Sequence, residues 1–433
     1  MSEQKPRSDH TPGGGTKLGL PTPGDVVKPI ALQKRSFSFT GWRLALLIAG
    51  LIAVLSFVRV VTGAQQIDSA GTIAAAIGFA IPIGMAGLGG LWSERSGVVN
   101  IGLEGMMILG TWGAGYAGTL WGPWYGLLFG TLLGGVGAVV HAIATVTFGV
   151  DQIVSGVAIN LLGLGVTQYL SALVWPTQPT QSTTIPAIPT FTLPGFSDAM
   201  KSLADQGIFF VSDCASVLRA ITYDVPYTTF IAVLLLPITF FVLWRTSFGL
   251  RLRSCGEAPY AAESLGVNVY VHKYIAVIVS GFLAGFGGAV LATVLSGIYR
   301  EGQTQGLGFI GLAAMIFGNW RVGGLAAGAL LFGYTQAIQL RSGLAVHALL
   351  LVVVVLLVLM AVLFFYRRRI RTGVGALVVA GLVFLWYATT ETLPDQVAYV
   401  TPYVATLLVL SLASQRLRMP AADGRPYIKG QDH

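Results

Sequence analysis

Long apolar stretches, separated by short polar segments, run through most of the sequence. A helix needs roughly 20 apolar residues to cross the hydrocarbon core of a bilayer. Stretches that we expect to be membrane spans lie at 43–62, 72–92, 100–120, 124–147, 153–175, 226–245, 273–296, 322–340, 347–366, 373–390 and 397–413. A shorter apolar stretch, 307–318, cannot cross in a straight line and predicts one half of a broken helix. The pattern predicts an all-α, polytopic membrane helix bundle of about 10–12 spans with discontinuous helices.

The composition supports a membrane protein. Only 10% of the residues are charged, whereas soluble domains carry about 25%, so lipid must solvate much of the surface. The net charge of +8 would ordinarily suggest nucleic-acid binding. Here the Lys and Arg residues fall in short runs between apolar stretches, which is typical of orientation in a membrane. We therefore expect a lipid bilayer, and no nucleic acid, as a partner.

The basic residues predict an orientation, because cytoplasmic loops carry an excess of Lys and Arg. Threading the spans through the bilayer places four basic clusters on one side. They are Lys28, Lys34, Arg35 and Arg43; Arg245, Arg251, Arg253 and Lys273; Arg367, Arg368, Arg369 and Arg371; and Arg416, Arg418, Arg425 and Lys429. We expect both termini and the loop 246–272 to be cytoplasmic, and the loop 176–225 to lie outside.

The pattern predicts one transmembrane domain, residues 42–414, between two cytoplasmic tails. The tail 1–41 is rich in Pro, Gly, Ser and Lys and is expected to be disordered, and the second tail is 415–433. Within the domain, the pattern Ile-Gly-Leu-x-x-Met at 101–106 recurs at 310–315. The two copies run in opposite directions in the predicted topology. They indicate either an inverted repeat, a common plan of transporters, or a chance echo in a chain rich in Gly and Leu.

The cytoplasmic loop contains a short predicted helix, from about Ala258 to Leu265. Pro259 suits the first turn of a helix, and Gly266 is placed to end it. The surface of this helix is small and flanked by acidic residues, so it could dock in a groove of another protein. The alternative is an ordinary solvated linker.

Several polar residues interrupt the apolar regions. Glu104 lies within a span, where an ionisable group either has a function or makes a structural hydrogen bond between helices. Asn160 could likewise bind a substrate or a neighbouring helix. Asp151 is expected to cap the helix that follows it. Glu94 and Arg95 are expected to form a solvated pair at the cytoplasmic boundary.

Motifs of catalysis are missing from the sequence. There is no Gly-x-x-x-x-Gly-Lys-Ser/Thr phosphate loop, so we expect this chain to hydrolyse no ATP. There is also no nucleophile elbow and no paired His–Glu metal motif. We therefore expect no catalytic residue, metal or cofactor on this chain, and a role in transport. Cys214 and Cys255, predicted on opposite faces of the membrane, should remain unpaired.

Five of the segments together resemble a known family, the permease subunits of ABC importers for branched-chain amino acids, simple sugars and nucleosides. The resemblance lies in the segments 93–107, 152–162, 256–266, 308–320 and 416–427, and it is strongest toward the guanosine-type permeases. The chain departs from the family in its long N-terminal tail. It also has Ala258 where an Asn is usual.

The resemblance implies a subunit in a bacterial plasma membrane that forms the translocation pathway for a nucleoside, in particular a purine nucleoside, or for a simple sugar. It implies three protein partners: an ATPase that uses the ATP, a second related permease in a heterodimer, and an extracytoplasmic solute-binding lipoprotein. It also makes the short helix the coupling helix that docks on the ATPase, with the residues Gly256, Glu257, Ala258, Pro259, Ala261, Ala262, Glu263 and Gly266. The residues that it places near the pathway are Asn100, Gly102, Glu104, Asn160 and Asn319.

Neither the substrate nor the energy source follows from the residues alone. Trp112, Tyr116, Trp121 and Trp124 could stack on a nucleoside base, but they also fit a belt of interfacial aromatic residues. The rival function is a secondary transporter or channel that works without ATP, which predicts several paired carboxylates within the spans, and only Glu104 clearly qualifies. A receptor or structural membrane protein would need a substantial soluble domain, and the one long loop shows no convincing core.

Overall fold

The computed structural model describes residues 41–178, 180–341, 343–390, 393, 400 and 417–430. It divides the chain into two units, residues 1–48 and residues 49–433. In the first unit the described residues form the start of a helix, and in the second they form all the other elements. The predicted tail at 1–41 and the predicted span at 397–413 lie almost wholly outside the described residues.

Helices make up nearly all of the regular structure in the described ranges, which confirms the all-α prediction. They are α1 (Gly41–Thr62), α2 (Ala70–Arg95), α3 (Leu103–Trp121), α4 (Pro123–Ala142), α5 (Gln152–Val174), α6 (Phe196–Asp205), α7 (Val211–Ala220), α8 (Tyr227–Arg245), α9 (Ser247–Glu257), α10 (Pro259–Ser264), α11 (Val269–Val290), α12 (Leu307–Phe317), α13 (Val322–Gln339), α14 (Gly343–Tyr366) and α15 (Ile370–Thr389). Short π-helical segments extend α4 and α11, at Ile143–Thr147 and Leu291–Ser296. A two-residue antiparallel strand pair, β1 (Thr190–Phe191) and β2 (Val225–Pro226), lies in the loop between α5 and α8.

Seven of the described helices are long and apolar enough to cross a membrane, so the chain is a multi-pass membrane protein. They are α2, α4, α5, α8, α11, α14 and α15, with α4 and α11 counted together with their π-helical extensions. The predicted spans at 43–62, 100–120 and 322–340 are also helices, α1, α3 and α13, but they are not among these seven. A count of about 10–12 spans therefore stays a prediction.

Glycine allows the central helices to pack backbone against backbone, which gives the high Gly content a structural use. A Cβ atom added at Gly134 of α4 would lie 2.4 Å from the Cα atom of Gly285 in α11. One added at Gly333 of α13 would lie 2.4 Å from the carbonyl oxygen of Ala76 in α2. Contacts this short leave no room for any larger side chain, so these glycines set the distance between the helices.

The short apolar stretch that predicted a half-helix forms α12, which has 11 residues. At 1.5 Å per residue it is about 16 Å long, roughly half the thickness of a hydrocarbon core. The chain then reverses through 318–321 into α13, with positive φ angles at Asn319 and Trp320. Gly318 is needed in this turn because a Cβ atom there would lie 2.2 Å from the amide nitrogen of Leu325. The prediction of a broken helix is confirmed at this position.

Candidate functional site

The predicted cytoplasmic helix is present as α10. Pro259 occupies its first position, and Ala258 before it has an extended backbone with φ −150°. The helix ends at Ser264, and Gly266 follows two residues later with a φ of +79°, which favours glycine. There the amide of Gly266 donates to the Glu263 carbonyl oxygen at 2.8 Å, and the amide of Val267 donates to that of Ala262 at 3.0 Å. The local signals at Pro259 and Gly266 thus predicted both ends of α10.

The two faces of α10 differ in exposure. Pro259 and Ala262 are buried against the protein, whereas Ala258 and Ala261 are exposed. Leu265, directly after the helix, is 85% exposed. Two alanines and a protruding leucine form a small apolar surface, which we call the α10 outer face. A partner protein with a shallow groove could cover this surface.

The chain just before α10 packs directly on the end of α2. A Cβ atom added at Gly256 would lie 2.4 Å from the Arg95 carbonyl oxygen and 3.0 Å from the Gly97 amide nitrogen. The Arg95 guanidinium lies 3.9 Å from the Glu257 carboxylate, which is half exposed, so this ion pair adds little stability. Close packing at Gly256 therefore joins the loop to α2.

Glu94 and Arg95 do not form the solvated pair that the sequence predicted. Glu94 is 5% exposed, and its carboxylate accepts a hydrogen bond from the Trp320 indole nitrogen at 2.6 Å. The Arg95 guanidinium donates to the Trp320 carbonyl oxygen at 2.6 Å. The prediction is wrong because the turn between α12 and α13 folds over the end of α2. A contact across more than 200 residues leaves no local signal in the sequence.

Four of the five residues predicted near a pathway lie where α3 begins beside α5. The Asn160 side-chain oxygen accepts from the Gly105 amide at 2.7 Å, and its nitrogen donates to the Ile101 carbonyl oxygen at 3.1 Å. The Asn100 side-chain nitrogen donates to the Ser280 hydroxyl at 2.9 Å. Gly102 packs against Ile159. Asn319 lies apart, in the turn between α12 and α13.

Glu104 binds the start of the half-helix. One carboxylate oxygen accepts from the Gly306 amide at 2.9 Å and the other from the Gly308 amide at 2.7 Å. A carboxylate at a helix N-terminus satisfies unpaired amides and opposes the positive end of the helix dipole. For Glu104 and Asn160, the structure therefore shows the hydrogen-bonding alternative that the sequence left open. A contact of either residue with a substrate remains a prediction.

An aromatic cluster includes three of the four residues, Trp112, Tyr116 and Trp121, that could either stack on a base or belong to an interfacial belt. Trp112 stacks on Tyr116 with ring centroids 5.3 Å apart and lies 6.1 Å from Trp175. Trp175 in turn stacks on Tyr299 at 5.6 Å. Trp175 and Tyr299 were not predicted to belong to this cluster because they lie in the segments after α5 and α11, far from α3 in the chain.

No group of three His, Cys, Asp or Glu residues in the described ranges could hold a metal ion. Cys214 and Cys255 are both free thiols, as expected. Burial raises the pKa of Cys255 to about 11. This thiol is therefore protonated at neutral pH and is a poor metal ligand.

Comparison with known proteins gives matches over most of the chain. Residues 72–364 match the model of the family described as branched-chain amino acid transport system / permease component. The guanosine ABC transporter permease protein NupQ of Bacillus subtilis (strain 168) is 34% identical over 83% of this chain and 97% of that protein. A nucleoside ABC transporter permease protein, NupC, of Lactococcus lactis subsp. cremoris (strain MG1363) is 31% identical over 82% of this chain and 95% of the length of NupC. A putative glucose ABC transporter permease protein of Haloferax volcanii is 34% identical over 63% of this chain and 78% of the length of that permease. No solved structure matches the chain.

Proposed function

Because the chain belongs to the family of branched-chain amino acid transport system permease components, we propose that it is one membrane-spanning subunit of an ABC importer. It forms the translocation pathway and takes its energy from a partner ATPase, which binds and hydrolyses the ATP. The observation that carries this proposal is the α10 outer face. This small apolar surface lies on a short helix outside the predicted spans, where a partner protein could cover it.

The substrate that we propose is a nucleoside, with a purine nucleoside first. Two of the three relatives above are described as guanosine or nucleoside permeases and one as a putative glucose permease, so a simple sugar is the alternative. The rings of Trp112, Tyr116, Trp175 and Tyr299 pack on one another, and Trp112 and Tyr299 are buried, so the relatives are what favours a nucleoside. Competition of unlabelled guanosine, adenosine, cytidine, ribose and glucose against labelled guanosine uptake distinguishes these classes.

We also propose the setting of the subunit. The importer lies in a bacterial plasma membrane and pairs this chain with a second, related permease. An extracytoplasmic solute-binding lipoprotein delivers the substrate. Co-purification of the tagged chain with these partners from its own membrane tests this assembly. Recovery of a complex that contains this chain as its only permease would contradict the heterodimer.

The docking role of α10 is tested by the double substitution Glu257→Lys with Ala261→Trp. It reverses the charge of Glu257 just before α10 and adds bulk at Ala261 on the α10 outer face, so we expect ATP-driven uptake to be abolished while membrane insertion is unchanged. The matched control is Asp198→Lys with Ala199→Trp on α6, where both side chains are also exposed. Uptake is measured in proteoliposomes of the whole complex. Normal uptake by the α10 variant would contradict the docking role.

A further inference from the structure

The described C-terminal residues 417–430, which we call the C-terminal strap, run along α10 and its neighbours. The Ala422 amide donates to the Gly256 carbonyl oxygen at 2.9 Å, and the Ala421 amide donates to the Glu257 carboxylate at 3.3 Å. At its start the strap meets a second element, because the Arg418 amide donates to the Asn319 side-chain oxygen at 2.7 Å. Hydrogen bonds donated by strap amides thus fix the strap both to the loop 246–272, which we call the coupling loop, and to the turn between α12 and α13.

Tyr427 anchors the strap to the inner side of α10. Its ring centroid lies 5.3 Å from that of Tyr260 and 5.3 Å from that of Tyr270. The side chain is 7% exposed and shares a small apolar core with Cys255 and Ala262. Burying an aromatic side chain of this size is among the larger stabilising contributions that a single residue can make.

Asp423 anchors the strap to α2. It is 8% exposed, and its carboxyl group is in hydrogen-bonding contact with that of Glu94. An ionised carboxylate only accepts hydrogen bonds, so the two groups can bond only when they share a proton. The charged groups that face Asp423 are Arg95 on α2 and Lys273 on α11. Lys273 is itself buried and donates to the Gly97 carbonyl oxygen at 3.1 Å.

The short length of α10 explains why this helix needs such support. It has six residues, and isolated helices shorter than about 12 residues are marginal in water. A helix of this length can transmit a displacement only when its inner side is held on something rigid. The strap supplies that support and connects it to the end of α2 and to the turn after α12, where it contacts Asn319, one of the residues predicted near the pathway.

We propose that the C-terminal strap holds the coupling helix on the ends of α2 and α12, and that Tyr427 and Asp423 are positioning residues for coupling ATP hydrolysis to transport. The proposal rests on the function proposed above, since coupling needs a partner ATPase. The strap thereby becomes part of the moving unit to which the ATPase is attached. A tail that only stabilised the fold would change the amount of complex and leave the coupling unchanged.

The first test removes the aromatic anchor in the assembled complex. We expect Tyr427→Ala to raise the ATP hydrolysed per solute imported by about tenfold, because α10 then opens locally without moving the core helices. Tyr427→Phe keeps the packing and should keep the wild-type ratio. The matched control is Tyr366→Ala, which removes an 89% exposed tyrosine at the end of α14. An unchanged ratio in Tyr427→Ala, in a complex that assembles normally, would overturn the proposal.

The second test needs no ATPase. Hydrogen exchange of the amides at 256–266, measured on the full chain in lipid nanodiscs, should accelerate in Tyr427→Ala and in Asp423→Ala, but not in Tyr366→Ala. Unaltered exchange would overturn the strap as a support for α10. Failure of the wild-type complex to import with ATP would instead contradict the proposed function, so the two failures are distinguishable.

Burial of the Asp423 carboxyl group adds a pH profile that a purely structural role would not produce. Burial raises the pKa of Asp423 to about 7, from an ordinary value of 3.8. The docked carboxyl therefore holds its proton to higher pH than a free one, so docking is strongest below about pH 4 and weakens as the pH rises through about 7. We expect protection at 256–266, corrected for intrinsic exchange, to fall over that range. Asp423→Asn does not titrate and should flatten the profile; an equal slope in both proteins would contradict a role for the Asp423 carboxyl group in docking the strap.

Discussion

Glu104 shows how a single side chain can hold a broken helix in a membrane protein. Its two carboxylate oxygens accept from the amides of Gly306 and Gly308, which begin α12. Gly308 also packs on the Glu104 backbone, since an added Cβ atom would lie 2.7 Å from the Glu104 Cα atom. The half-helix is therefore fixed at its N-terminus by both a charge and close contact.

We expect Glu104→Gln to lower the stability of the chain by about 1–3 kcal/mol, because the amide accepts one hydrogen bond in place of two and loses the negative charge. The midpoint of thermal unfolding in detergent measures this change. Uptake kinetics then separate the two roles that the sequence left open. A purely structural Glu104 leaves the substrate concentration for half-maximal uptake unchanged. A large rise in that concentration at unchanged stability would place Glu104 on the pathway.

Residue roles were predictable where the partner lies nearby in the chain. Asp151 was expected to cap α5, and its carboxylate accepts from the amides of Ile153 at 2.9 Å and Val154 at 3.0 Å. Glu94 was misassigned because its partners, Trp320 and Asp423, lie hundreds of residues away. Capping is a local interaction that leaves a local pattern, whereas burial by a distant turn does not.

At the scale of elements, the contact between the coupling loop and α2 depends on the absence of a side chain at Gly256. Alanine at this position would improve the helix propensity of α9. Its Cβ atom would nevertheless lie 2.4 Å from the Arg95 carbonyl oxygen. The Cβ atom is bonded directly to the backbone and the oxygen belongs to the backbone, so neither can rotate away. Steric exclusion therefore outweighs propensity, and the loop must separate from α2.

We expect Gly256→Ala to reduce ATP-driven uptake by about tenfold or more while the transmembrane helices stay folded, since only the loop contact is lost. Gly323→Ala in α13 is the matched control, because nothing lies within 4 Å of an added Cβ atom there. Uptake in proteoliposomes is compared with helicity by circular dichroism. Full uptake by Gly256→Ala would contradict a tight contact in the working complex.

Elements differed in how far the sequence could predict them. The long helices and α12 follow from the lengths of the apolar stretches, and α10 follows from Pro259 and Gly266. The C-terminal strap was expected only as part of a tail. Its residues carry turn signals and basic charge, and nothing in that pattern indicates that Tyr427 inserts between Tyr260 and Tyr270. Such docking is a tertiary contact, which local propensity does not specify.

At the scale of the whole molecule, two of the basic clusters that predict the orientation lie close together, and the orientation itself stays a prediction. The strap, which carries the basic residues Arg418, Arg425 and Lys429, lies against the coupling loop, so two of the predicted cytoplasmic clusters are at one end of the molecule. The loop between α5 and α8 contacts the C-terminal part of α1. There the Arg59 guanidinium lies 3.2 Å from the carboxylates of both Asp68 and Asp213.

This arrangement predicts the labelling of the two loops from opposite sides of the membrane. In a background with Cys214→Ser and Cys255→Ala, we expect Asp198→Cys on α6 to react with a membrane-impermeant maleimide in intact cells. Ser264→Cys on α10 should react only after the membrane is permeabilised, because the basic residues near it predict a cytoplasmic position for that loop. Both positions are exposed, so access from one side is the only difference between them. Reaction of Ser264→Cys in intact cells would reverse the orientation and would place the α10 outer face out of reach of a cytoplasmic ATPase.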